Sequence, residues 1–155
     1  MRVAGLAINL VRQRPTVRLV VMNDVASPTA VEACEEFPSD DVDLPTQLLE
    51  ISKTVGSRLK SLRVDRVVVR RADNPPRANN NEGPRVRLLA EGAATSAARS
   101  EVVDTRLGNG RDLGAWHQSN KAQLQAAAAL VLASAGHDAK FAEAAAAAVA
   151  GLAAL

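Results

Sequence analysis

The sequence predicts an α/β fold: a mixed five-stranded sheet whose first three strands are antiparallel, with helices on both faces. Three observations carry this. The front of the chain holds three β-rich runs joined by short connections, which suit an antiparallel meander. Behind them strand and helix patterns alternate, as crossover-connected strands require. The length of 155 residues suits one domain with one core, and no linker splits the chain, so residues 1–155 are expected to form a single domain.

Residues 2–10 read as a strand with Val3, Gly5, Ala7 and Asn9 on one face and Ala4, Leu6, Ile8 and Leu10 on the other. Both faces are largely apolar, as in a central, covered strand. Arg12 to Pro15 reads as a turn, residues 16–23 as a second strand and 31–37 as a third. Asp43 then caps a helix with Pro45 in its first turn. Leu44, Leu48, Ile51, Val55, Leu59 and Leu62 recur at steps of three and four, so one stripe faces inward while Lys53, Arg58 and Lys60 stay outside it. DRVVVRR (65–71) is a continuous valine strand, expected to be buried on both faces. Pro, Asn and Gly dominate 72–84, which is expected to be loop. A helix is expected over Arg85–Arg99 and a strand end over 101–107. Two alanine-rich helices follow at 119–135 and 138–154, separated by a C-cap and turn at Ala135-Gly136-His137.

Composition narrows the function. Hydrophobic residues at 47% and charged residues at 23% exclude disorder as the global state. No apolar run reaches the roughly 20 residues of a membrane span without being mostly alanine. Arg12 and Arg14 interrupt the N-terminus too early for a good secretory signal. Cys34 is the one cysteine, which excludes an internal disulfide and a cysteine-cluster metal site and fits a reducing, cytoplasmic setting. Its neighbours are acids, so nothing in the sequence lowers its thiol pKa. The net charge of +2 is weak evidence for a polyanionic partner, and Glu32, Glu35, Glu36, Asp40, Asp41 and Asp43 form an acidic stretch. Aromatics at 2% (Phe37, Trp116, Phe141) argue against a single-strand binder that relies on stacking platforms. GNGR (108–111) lacks the lysine and spacing of a phosphate loop and reads as a turn. His117 and His137 lack the spacing of a zinc site.

The order β-β-β-α-β-α-β-α-α is the pattern of the RNase H-like fold, and specific segments go further. MRVAGLAINL (1–10), DLPTQLLEISKTVGSRLKSLRVDRVVVRR (43–71), RLLAEGAATSAA (87–98), KAQLQAAAALVL (121–132) and HDAKFAEAAAAAVAG (137–151) resemble, in order and spacing, the RuvC-type Holliday junction resolvases. Such enzymes cut DNA with four carboxylates that hold two metal ions. The resemblance places Ala7 where the opening strand should carry an aspartate and Arg70 where the later strand should carry a glutamate. On the last helix Asp138 matches the first of two acids, and Phe141 stands at the second. A shifted register would offer Glu143, with Lys140 in the first position. Magnesium demands oxygen ligands, and a guanidinium at Arg70 repels a cation while favouring a phosphate. The resemblance therefore implies a catalytically degenerate relative with no catalytic residue, metal or cofactor.

It also implies partners. Lys121 sits where the family has a basic residue near the DNA, and Gln123 extends the match. With Arg70, Arg71, Arg77, Arg85 and Arg87 around the Asn/Pro loop, it is expected to form a phosphate-binding rim. In the plainer reading these are solvated charges or partners of Asp73 and Glu82. A homodimer is expected through the Arg85–Arg99 helix, whose Ala90, Ala93, Ala94 and Ala97 suit close packing. The leading expectation is a non-catalytic binder of duplex or branched DNA. One rival is a protein-interaction or scaffold module without DNA binding. The other is an active Mg-dependent nuclease with a relocated site at Asp73, Asp138 and Glu143. Asp73 lies three residues past Arg70, on the opposite face of a continuing strand. It reaches the site only if the chain bends there, which Asn74-Pro75-Pro76 permits.

Overall fold

The computed structural model describes residues 1–25, 30–73 and 82–154. Its elements in chain order are β1 (Arg2–Val11), β2 (Arg14–Asn23), β3 (Ala30–Pro38), α1 (Leu44–Leu62), β4 (Arg66–Arg70), α2 (Glu82–Glu101), β5 (Thr105–Gly108), α3 (Gly110–Trp116), α4 (Lys121–Ser134), a 3-10 turn (Ala139–Phe141) and α5 (Ala142–Ala153). The five strands lie in the order β3-β2-β1-β4-β5. The first three pair antiparallel, and β4 joins β1, and β5 joins β4, in parallel. The expected mixed sheet is thus present, with β1 at its centre.

The alternation along β1 separates two cores. Ala4, Leu6 and Ile8 meet Ile51, Val55 and Leu59 of α1 and Ala90, Ala94 and Ala98 of α2. Val3 and Ala7 meet the alanines of α5, Leu113 of α3 and Leu124, Ala128 and Leu132 of α4. Alanine suits this second layer because the helix backbone lies almost on the strands. A Cβ built on Gly151 of α5 would stand 2.6 Å from Val3 Cγ1 and 2.8 Å from Val68 Cγ2. Arg66 tethers the far end of α5: buried beside Asp104, it donates to the carbonyl oxygens of Gly151 (2.6 Å) and Ala154. A guanidinium there satisfies carbonyls that the helix itself leaves open.

Several boundaries move. The β1–β2 turn is Arg12-Gln13 alone, with φ of 50° and 63°, and Pro15 pairs with Leu10 inside β2. A two-residue primed turn demands those left-handed angles, which the sequence hides by using no glycine or asparagine. The Asp43 cap is as expected: its carboxylate accepts from the Thr46 N–H at 3.0 Å. Helix α2 starts at Glu82 and runs to Glu101, so the strand expected over 101–107 shrinks to Thr105–Gly108. The stretch read as a turn at 108–111 instead opens helix α3, because Asn109 and Asp112 form a reciprocal capping box. Asp138 caps the 3-10 turn, and α5 proper begins at Ala142. Ala90, Ala94 and Ala97 are buried against their own chain, so they are not an open dimer face. Leu88 and Leu89 are the exposed large apolar residues of α2. Among the described residues no helix is long and apolar enough to cross a membrane.

Candidate functional site

Parallel pairing of β1 with β4 sets Ala7 directly beside Arg70. Two of the four positions at which the family resemblance implies acids are therefore register partners at the same end of the sheet. Ala7 is fully buried, and the Arg70 side chain is 4% exposed. The Arg70 guanidinium donates to the Arg71 carbonyl and, through Nη2, to both oxygens of Asp73 at 3.2 Å. The chain leaves the sheet after Arg70, and this bend brings Asp73 back over the strand end.

Two further elements converge on Asp73. Lys121, the first residue of α4, extends its Nζ to Asp73 Oδ2, and the Gly110 N–H at the start of α3 donates to Oδ1 at 3.0 Å. Both helix starts are fixed by capping boxes, Asn109 with Asp112 and Asn120 with Gln123. A Cβ at 110 would fall 2.8 Å from Lys121 Cδ and 3.0 Å from Arg70 Nη2, so any side chain there pushes the ends of these two side chains away from the Gly110 N–H. The Lys121 ammonium, the Gly110 N–H and the Arg70 guanidinium hold the Asp73 carboxyl well below the usual carboxylate range, against partial burial that works the other way.

That depression has a sign. A carboxylate whose pKa is lower in the folded state adds stability above its unfolded pKa of about 3.9 and loses it as pH falls below that value. The wild type is therefore expected to lose thermal stability more steeply than Asp73→Asn as pH drops from about 5 to about 3. Parallel melting curves check this.

A second cluster lies on the neighbouring side. Arg87 of α2 pairs through Nε with Glu91 Oε1 (2.9 Å) and through Nη2 with Glu143 Oε2 (3.2 Å) of α5. Glu91 Oε1 also accepts the Ala72 N–H at 2.8 Å, and Asn9 Nδ2 donates to Glu143 at 3.2 Å. Glu91 is 2% exposed, and its Oε2, like Asn9 Oδ1, is buried without a hydrogen-bond partner among the described residues. This arginine bridge was missed from the sequence, although the i, i+4 spacing of Arg87 and Glu91 was there to signal it.

The acids of the relocated cluster are held apart. Asp73 answers to Arg70 and Lys121, and Glu143 to Arg87 and Asn9. Asp138 is exposed and accepts the Lys140 N–H at 2.7 Å as a cap. Phe141 is buried in the second core, and the Lys140 ammonium lies 5.4 Å from its ring centroid. Among the described residues no group of three His, Cys, Asp or Glu side chains could hold a metal ion. Divalent magnesium needs an oxygen-rich, near-octahedral shell. A methyl at Ala7 and a guanidinium at Arg70 do not fit one.

The expected cationic rim is divided. Arg70 lies beneath Asp73 and Arg87 between two carboxylates, so neither is presented to a ligand in this conformation. Arg71 and Arg85 line a groove of about 510 Å³ with Leu10, Leu88 and Glu91, and neither forms an ion pair among the described residues. Lys121 is 46% exposed at its side chain. Arg77 lies outside the described residues. Away from the site, burial pushes the Cys34 thiol up to about 11.

A sheet in the order β3-β2-β1-β4-β5, with three antiparallel strands followed by parallel additions and helices on both faces, defines an RNase H-like α/β fold. More particularly, it is a RuvC-type resolvase fold. A structure of Thermus thermophilus RuvC matches with a TM-score of 0.72 at 17% identity, covering 99% of this chain and 94% of that one. T. thermophilus RuvC in complex with Holliday junction substrate matches with the same TM-score of 0.72 at 19% identity, covering 99% and 93%. No protein-family model matches the chain, and no curated protein matches it.

Proposed function

We propose that this chain is a non-cleaving, homodimeric RuvC-fold protein that holds duplex or branched DNA through Arg and Lys contacts to phosphate. In this reading residues 1–155 act as one domain in the cytoplasm. The observation that carries the reading is the Ala7–Arg70 register pair. The family resemblance implies metal-gripping acids at these two positions, and a methyl and a cation there favour phosphate over divalent metal. That one matched structure holds a Holliday junction substrate supports branched DNA as the ligand class. Arg85 and Lys121 are exposed and Arg71 is half-buried at this end of the sheet, and Leu88 and Leu89 offer an apolar contact for a second copy.

Native-gel titrations of a four-way junction and a duplex at two salt concentrations test the proposal. Retardation is expected at low salt, with log affinity falling by about 0.9 per log salt for each phosphate contact. Arg71→Ala and Arg85→Ala are each expected to weaken binding and to reduce that slope by about one. Absence of binding at low salt overturns the proposal. It would favour the second reading, a protein-interaction module, for which one observation speaks: Arg70, Arg87 and Lys121 are all neutralised by carboxylates of the same chain.

A further inference from the structure

We propose that the Asp73 carboxylate is a resident anion in an oxyanion site formed by Arg70, Lys121 and the Gly110 N–H, and that a phosphate group enters this site by displacing it. Three donors from three separate elements converge on one carboxylate. Charge-assisted donors arranged around a single point are the recognition chemistry of a phosphate oxygen cluster.

The donors are anchored in paired and capped elements, and their occupant is not anchored to the same degree. Arg70 ends a strand paired on both sides, with Ala7 and Gly108 as register partners. Lys121 and Gly110 open helices held by capping boxes. Gly110 has no side chain, which lets the lysine stem and the guanidinium close around its N–H. Asp73 lies beyond the last residue of β4, outside any strand ladder. Its side chain is 43% exposed where that of Arg70 is 4% exposed. The carboxylate thus forms the layer between the buried guanidinium and solvent, and moving it aside uncovers two cations and a backbone donor together. Exchange of one anion for another keeps the buried charge compensated throughout, which avoids the cost of an unpaired buried cation.

The incoming group is either a backbone phosphodiester, which rests on the DNA-binding proposal above, or free phosphate, which does not. Asp73→Asn and Asp73→Ser remove the resident charge, and Asp41→Asn, at an 86% exposed side chain, controls for net charge. The probes are inorganic phosphate, against chloride at equal ionic strength, in thermal melts, and the four-way junction in native gels. Both Asp73 variants are expected to melt below the wild type and to be restored by phosphate but not by chloride. Their junction affinity is expected to rise about tenfold, as one strong charge-assisted contact implies, with Asp41→Asn near wild type. Phosphate rescue with no junction binding by any protein upholds the oxyanion site and removes the DNA reading. Junction binding that is equal in wild type and variants, without phosphate rescue, removes the oxyanion site and leaves the DNA reading standing. Should neither variant fold alone, refolding in phosphate must recover it, and failure to do so overturns the proposal.

Discussion

Gly5→Ala unfolds this protein or brings it close to unfolding. A Cβ at position 5 would stand 2.0 Å from the Ala144 carbonyl oxygen and 2.5 Å from the Ala148 nitrogen. Both obstacles are backbone atoms of α5, so no rotamer change relieves them. β1 cannot retreat, because it is paired to β2 on one side and β4 on the other. Helix α5 would have to lift off the sheet and carry its buried alanines with it. Overpacking that side chains can absorb costs about 1–3 kcal/mol. Here the expected loss exceeds about 3 kcal/mol, set against a domain stability of roughly 5–15 kcal/mol. Gly92→Ala is the contrast, since nothing lies within 4 Å of its Cβ and it sits inside α2. That change is expected to stabilise by up to about 1 kcal/mol. Urea unfolding followed by circular dichroism measures both, and a wild-type midpoint for Gly5→Ala would refute the packing described.

Arg87→Met is expected to cost about 3–5 kcal/mol, the usual penalty for removing one partner of a buried ion pair. The loss falls on Glu91, which is 2% exposed and already has one oxygen without a partner. Without the guanidinium its charge is left, among the described residues, with a single backbone donor, the Ala72 N–H. Adding Glu91→Gln to Arg87→Met removes the stranded charge while keeping an acceptor for that N–H. The double variant is therefore expected to recover most of the loss. The coupling read from the four unfolding midpoints separates this account from a simple packing defect, which the second substitution would deepen.

The sheet was legible because its signals are local. The two apolar faces of β1, the valine run of β4 and the capped stripe of α1 each state their burial in sequence order. Helix α3 was not legible, because its cap uses Asn109 and Asp112 rather than the more familiar Ser or Thr with Glu, and its flanking glycines imitate a turn. Those glycines serve close approach instead, of Trp116 to Gly108 and of Lys121 to Gly110. At the site, residue types were readable but pairing was not. Arg70 could be placed at the metal position from the sequence, while its ion pair with Asp73 depends on a bend after β4. The alanine face of α2 misled for a related reason: small residues permit close packing without saying against which surface, and here it is the chain's own core.

The most direct test of the account is incubation of a labelled four-way junction with the protein in Mg²⁺ or Mn²⁺, read on a denaturing gel. Binding without cutting predicts full-length strands under conditions where native gels show the complex. Nicked strands that disappear on Asp138→Asn would contradict it, because a working divalent centre would then exist despite Ala7 and Arg70.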